Sequence, residues 1–252
     1  MPYLLRLCFW PVLFLAHLIA TALLAWHLLA QIHFAYPMGY RILNLQDHIA
    51  EYAPLNRYKE GFEFTRPEDH WRLFGEISDA VQNSGKGLTE IRYTLSNGQS
   101  TELMHKAEII HLQDVANLIN KFYIAGILCG LIWFCLLGVA CWYKLKPPSL
   151  TRVFMGFSGG LLLTGVIVLL IGATKVFYWL HVQIFPENHQ WFFYYQDSLM
   201  TTLMKAPDIF AFIILLLVSL LMIFWGMSYW MMSELLTITK QVQTEHKKKG
   251  KK

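Results

Sequence analysis

The sequence predicts an all-α transmembrane fold: a four-helix membrane bundle with a small α+β extracytoplasmic cap between spans one and two. Three observations carry that prediction. Four runs are apolar over the roughly 20 residues that a helix needs to cross a bilayer core. Basic residues collect in alternate connections. The longest connection holds two helical stripes and a strand–turn–strand signal. Composition agrees, with 55% apolar residues, 15% charged residues and a mean hydropathy of +0.38. A typical soluble domain carries about 25% charge.

The four runs cover residues 7–31, 119–143, 153–176 and 209–232. Rings that favour the headgroup level gather near their ends: Trp10 and Trp26, Trp142 and Tyr143, Tyr178 and Trp179, Trp225 and Trp230. The first run exceeds the apolar core of about 7–15 residues found in signal peptides. It is therefore expected to stay as a helix, despite the Ala20-Thr21-Ala22 triplet. Loop charge gives direction. The connection 144–152 holds Lys144, Lys146 and Arg152 and no acid, and the tail 233–252 holds six lysines against Glu234 and Glu245. Residues 32–118 carry eight basic and twelve acidic side chains, and 177–208 carry Lys205 against Glu187, Asp197 and Asp208. The positive-inside rule then puts both termini and the 144–152 loop in the cytoplasm. The 32–118 cap and the aromatic 177–208 loop face outward. The setting expected is that of a multi-pass membrane protein.

Composition also narrows the function. The net charge of +4 owes much to Lys247, Lys248, Lys249, Lys251 and Lys252. Such a terminal cluster suits anionic phospholipid headgroups. It gives no basic stripe for nucleic acid. Cys8, Cys129, Cys135 and Cys141 all lie in apolar runs with no CxxC pair, which argues against a thiol oxidoreductase. Glycines at 126, 130 and 138 of the second run, and at 156, 159, 160 and 165 of the third, suggest a tight hairpin of these two helices.

The cap reads as a folded unit, because about 85 residues are too many for a bare loop. Ile42, Leu45, Ile49 and Tyr52 repeat at helical spacing up to Pro54. Thr65-Arg66-Pro67-Glu68 reads as a capping box with proline in the first turn, followed by the stripe Trp71, Phe74, Ile77 and Val81. Asn83-Ser84-Gly85 and Gly87 stop that helix. Residues 91–95 and 101–104 flank Asn97-Gly98, a hairpin signal. A further helix starts near Leu103 or His105 and runs into span two.

Within the cap, residues 32–118, no phosphate loop, G-x-S-x-G or H-E-x-x-H motif is present. Of ten histidines, only His246 falls in the expected cytoplasm, and His17 sits mid-span. A histidine there is expected to face the bundle. The other spans offer no second histidine at its depth, so a haem pair is excluded. Mid-membrane ion pairs of the kind a transporter uses are also missing. Two constellations remain. Glu108, His111 and Asp114 share one helical face just before span two. A carboxyl near an imidazole fixes its tautomer. A polar helix end at the surface would look the same. Just after span three, His181 stands in an aromatic segment continuing through Phe185, Trp191 and Asp197. An interfacial helix explains the rings there but not His181 or Asp197. Pairing of spans two and three would bring His111 and His181 together.

The set Glu108-x-x-His111-x-x-Asp114-Val115, His181-x-x-x-Phe185, Trp191, Asp197 and Pro207-x-x-Phe210 resembles the bacterial four-span family of lipoprotein intramolecular transacylases. The resemblance covers roughly the second half of the chain. It implies an acyltransferase that moves an acyl chain from the sn-2 ester of a lipidated lipoprotein's diacylglyceryl group to the amino group of its N-terminal cysteine. The product is a lyso-form lipoprotein. By motif, His111 and His181 correspond to the catalytic pair. His181 is expected as base and His111 as its polar partner. Glu108 and Asp114 are expected to orient His111, and Trp191 and Asp197 to orient the site or bind substrate. No cofactor and no metal are expected. The cap's middle and the basic tail depart from the family pattern. Two other readings use the same residues differently. One is a metal-dependent membrane hydrolase with His111, His181 and a carboxylate as ligands. The other is a non-enzymatic membrane partner whose cap binds a protein through Trp71 or Phe74.

Overall fold

A computed structural model describes residues 3–249, with side chains described over residues 8–239. The lysines expected at the end of the tail, Lys247–Lys249, Lys251 and Lys252, lie outside the described side chains. In chain order the elements are α1 (Tyr3–Gln31), α2 (Tyr36–Ile42), α3 (Leu45–Tyr52), α4 (Pro67–Gln82), β1 (Arg92–Thr94), β2 (Ser100–Glu102), α5 (Lys106–Trp142), α6 (Leu150–Ile171), α7 (Ala173–Ile184), α8 (Leu199–Met204) and α9 (Asp208–Lys249). Among the described residues, four helical stretches are long and apolar enough to cross a membrane: Cys8–Gln31, Lys106–Trp142, Leu150–Ile171 and Asp208–Thr239. The third helix stops short of the 153–176 run. Gly172 takes φ 97° and ends α6, and α7 starts afresh at Ala173. The chain divides into two compact units.

One unit joins the first part of α1, up to Ala25, with Ile124–Tyr178 and the chain from Ser219 onward. Its packed centre is Phe9, Leu13, Ala140, Tyr229, Met232 and Leu236, drawn from α1, α5 and α9. Tyr229 closes it by donating its hydroxyl to the Pro148 carbonyl at 2.9 Å. His17 faces inward, as a polar group in such a helix must. Its ring stacks against Trp133 and Trp225, with centroids at 4.7 and 5.7 Å. Its Nε2 meets Ser228 Oγ at 2.7 Å. The tight hairpin expected between the second and third runs is not what the glycines make. The close approach is between α1 and α5: a Cβ on Gly126 would lie 2.7 Å from Leu23 Cβ. The α6 glycines at 156, 159, 160 and 165 meet nothing within 4 Å, and no α6 residue is buried. Small residues mark where backbones could approach; they do not say which partner arrives.

The other unit comprises Trp26–Tyr123 and Trp179–Val218. Its centre is α4, an amphipathic helix whose buried face carries Leu73, Phe74, Ile77 and Val81. Tyr36 of α2 stacks on Phe74 at 4.0 Å and donates its hydroxyl to the Leu203 carbonyl of α8 at 2.6 Å. The helix expected over 40–52 breaks into α2 and α3. Asn44 adopts φ 51° between them, which turns Leu45 and Ile49 inward and leaves Ile42 exposed. The β1–β2 hairpin forms in antiparallel register, Arg92 opposite Glu102 and Thr94 opposite Ser100, around the Asn97-Gly98 turn. At the end of α4, Ser84 and Gly85 both take positive φ. Gln113 and Asn120 of α5 then bond the Ser84 carbonyl and hydroxyl, each at 3.1 Å.

The start of α4 is displaced by one residue from the expected box. Arg66 is the N-cap, and its backbone N–H donates to Asp69 Oδ2 at 3.2 Å. Thr65 is occupied elsewhere. Its hydroxyl donates to the Phe62 carbonyl at 2.5 Å. It must therefore accept from His70 Nε2, 2.7 Å away. That leaves His70 Nδ1 to accept the Tyr40 hydroxyl at 2.8 Å. The chain of bonds suits a neutral imidazole that carries its hydrogen on Nε2. Burial pushes its pKa down to about 4, against the weaker opposing pull of Asp69 and Glu68.

This packing makes stability sensitive to pH in one unit and to side-chain volume in the other. Because the folded pKa of His70 lies below its unfolded value, its stabilising effect is complete above about pH 6.5 and is lost as pH falls through about 4. Hydrogen exchange of the α4 amides should report a loss on the order of 3 kcal/mol over that window, and His70→Gln should flatten the dependence. In the other unit, Gly126→Leu should lower thermal stability in detergent by about 1–3 kcal/mol, whereas Gly160→Ala should stay within about 0.5 kcal/mol of the parent.

Candidate active site

Both histidines singled out in the sequence lie in the unit that holds the cap. His111 is on the second turn of α5, and His181 is on the last turn of α7. Their ring centroids are 6.4 Å apart, with planes inclined by 31°. The nearest ring nitrogens are then at least about 4 Å apart, beyond direct hydrogen-bond reach. Aromatic side chains enclose the pair. Phe185 contacts both rings, at 5.0 Å from His111 and 5.2 Å from His181. Trp191 lies 4.9 Å from His181, and Phe193 lies 6.0 Å from His111. His111 Nδ1 is buried and has no hydrogen-bond partner among the described residues. The local reasons are plain. α7 ends at Ile184, and Pro186 two residues later cannot continue it. The extended chain that comes next brings Trp191 and Phe193 back across the two rings.

The carboxyl groups expected to orient His111 turn to other partners. Glu108 is 1% exposed. It stands at the third position of α5, where a side chain can reach back to the N-cap N–H. Oε2 accepts the His105 backbone N–H at 2.7 Å, and the His105 ring Nε2 lies 3.6 Å away. Oε1 accepts the Ser198 hydroxyl at 2.5 Å and the Met200 N–H at 3.4 Å. Ser198 is itself the N-cap of α8, where its Oγ accepts the Thr201 N–H at 2.9 Å. Glu108 thus joins the first turns of α5 and α8. Asp114 meets His189 instead, Oδ2 to Nδ1 at 2.6 Å. Asp197 pairs with Arg57 at 3.0 Å, and the Arg57 N–H donates to the Gln196 carbonyl at 2.8 Å. Trp191, by contrast, packs its ring directly against a member of the histidine pair.

Sequence reasoning missed His105, His189, Phe193, Ser198 and Arg57. Ser198 had a local signal, a serine directly before the helical run 199–204, which suits an N-cap. His189 had none. It closes a turn with its N–H on the Pro186 carbonyl at 3.0 Å, and its partner is 75 positions away. Among the described residues no group of three or more His, Cys, Asp or Glu side chains is placed to hold a metal ion.

The chemistry open to this arrangement is proton transfer. Two imidazoles sit far enough apart to flank a reacting centre, between aromatic walls that suit acyl carbon. The described cysteines are all free thiols on apolar helices. No curated protein and no solved structure matches the chain. A family model described as lipoprotein intramolecular transacylase Lit matches residues 8–206, a stretch that includes both histidines, Glu108, Asp114, Trp191 and Asp197. With well over half of its length matched, the chain belongs to the lipoprotein intramolecular transacylase family.

Proposed function

We propose that this protein catalyses an acyl migration within one lipidated lipoprotein at the outer leaflet of the bacterial cytoplasmic membrane, with both chain ends in the cytoplasm. The acyl chain leaves the sn-2 ester of the diacylglyceryl group and joins the amino group of the same N-terminal cysteine. The observation that carries this reading is the His111–His181 pair at 6.4 Å inside a wall of Phe185, Trp191 and Phe193. Family membership supports it, as do the four helices suited to a membrane.

The cysteine amine attacks the ester carbonyl and a C–N bond forms. An imidazole takes a proton from that nitrogen. The tetrahedral centre collapses, the bond to the sn-2 oxygen breaks, and the departing alkoxide receives a proton from an imidazole. An N-acyl, monoacylglyceryl cysteine results. Donor and acceptor belong to one molecule, so the enzyme need only hold them in an attacking geometry, a contribution of about 7–11 kcal/mol in favourable intramolecular cases. We assign the proton from nitrogen to His181 and the polar partner's role to His111. A neutral imidazole can accept a proton from nitrogen and hand one on to oxygen, which suits both directions of transfer. Trp191 fixes the His181 ring from one face. Glu108 acts at one remove, by holding the start of α5 and the start of α8. The chemistry described requires no cofactor.

Mass spectrometry of a model lipoprotein's N-terminal peptide tests this. Cells with the intact protein should yield N-acylated, monoacylglyceryl cysteine. His181→Ala and His111→Ala should each lower the rate by about 10²–10⁴-fold. An unchanged lipid pattern in cells with and without the protein would remove acyl migration. Glu108→Ala should cost about 3–5 kcal/mol of stability or prevent folding, since it strands the donors of two helix starts. A Glu108→Ala protein that melts like the parent would show that the two helix starts do not depend on it.

A further inference from the structure

The acyl migration proposed above leaves one proton unassigned, and the inference about that proton rests on the same reading. A cysteine α-amine with a pKa near about 8 enters as an ammonium at neutral pH. Turning it into an amide nitrogen removes one proton that ends on the sn-2 alcohol. It also removes a second, which must leave for solvent. A pair of histidines that passes a proton from nitrogen to oxygen handles only the first.

The geometry points to His189 as the acceptor of that second proton. Asp114 Oδ2 lies 2.6 Å from His189 Nδ1. A carboxylate accepts only, so Nδ1 carries the hydrogen, and in the neutral ring Nε2 keeps its lone pair. This is the arrangement of a general base held in one tautomer by a carboxylate. The His189 side chain is 32% exposed against 16% for Asp114, so the ring connects a partly sheltered carboxylate with water. The pair belongs to the candidate site by construction. Asp114 is one helical turn beyond His111 on α5, about 5–6 Å between Cβ atoms. His189 lies in the same loop as Phe185, Trp191 and Phe193, which wall the histidine pair. The ionic partner of His189 is Asp114 from α5; on its own loop the nearest charge in sequence is Glu187, and His111 is the titratable group nearest Asp114 along α5. Asp114 is suited to attract the incoming ammonium and to stabilise the imidazolium that forms beside it. His189 takes the ammonium proton, the amine attacks, and the imidazolium returns its proton to water.

The test is a pH profile of the purified full-length protein in detergent with a synthetic diacylglyceryl-cysteine lipopeptide, N-acylated product being measured from about pH 6.5 to 9. An enzyme without its ammonium base must wait for free amine, about 3% of the substrate at pH 6.5 and about 90% at pH 9. His189→Gln should therefore be slower than the parent at pH 6.5, by at most about thirtyfold, and converge with it by pH 9. Asp114→Asn should show the same convergence, and added imidazole should restore the His189→Gln rate at low pH. A parent-to-variant ratio that stays constant across the range in both variants, with no response to imidazole, overturns the assignment. Parent protein that makes no N-acylated product at any pH removes the acyl-migration reading itself, and this inference with it.

Discussion

The buried Glu108 carboxyl is the constraint on which the site depends. Removing such a group from water costs several kcal/mol unless donors replace the lost hydration. Here they come from two helix starts at once: the His105 N–H at α5, and the Ser198 hydroxyl and Met200 N–H at α8. Both are ends where backbone N–H groups lack partners and the helix dipole is positive. One side chain thereby fixes two elements that are 90 residues apart in sequence. His111 rides on the first of them, one turn along. The loop that carries Trp191 and Phe193 is tied down at the second. Arg57 fastens the same loop from the cap, through Asp197 and the Gln196 carbonyl.

This division of labour explains why the histidine pair can be lined by carbon. The charges that hold the backbone in place are engaged one turn away on either side, at Glu108 and at Asp114, and the rings themselves meet Phe185, Trp191 and Phe193. An apolar wall suits an acyl chain and, in the proposed acyl migration, keeps water from competing with the amine. His70 in α4 shows the same control of tautomers in a structural setting, where the Tyr40 and Thr65 hydroxyls fix a neutral ring.

Much of the fold was legible because its signals are local. The period of Phe74, Ile77 and Val81, the stop at Asn83-Ser84-Gly85, the Asn97-Gly98 turn and the four apolar runs each report on neighbours within a few residues. The pairing of His111 with His181 was reached through an expected hairpin of spans two and three, although the glycine contacts behind that hairpin do not form. What could not be read was the choice of partner. On a helix wheel Glu108 and Asp114 look like attendants of His111, yet Ser198 and His189 approach from 90 and 75 positions away. The capping box moved by one residue for a similar reason, because a third group, His70, competes for the Thr65 hydroxyl. The glycines misled in the same manner: Gly126 receives Leu23 of α1, while those of α6 receive nothing.

That open flank of α6 has an evolutionary side. No residue of α6 is buried within its unit, and its glycines could carry a methyl group without touching a neighbour. Within this unit the fold constrains hydropathy and length along α6 and not side-chain shape. Positions such as Leu162, Val166 and Leu169 are free to drift among aliphatic residues, while a charge would be purged. Divergence among relatives should therefore be fast along α6 and slow at Glu108, which makes so exposed and apolar a helix a poor guide to ancestry.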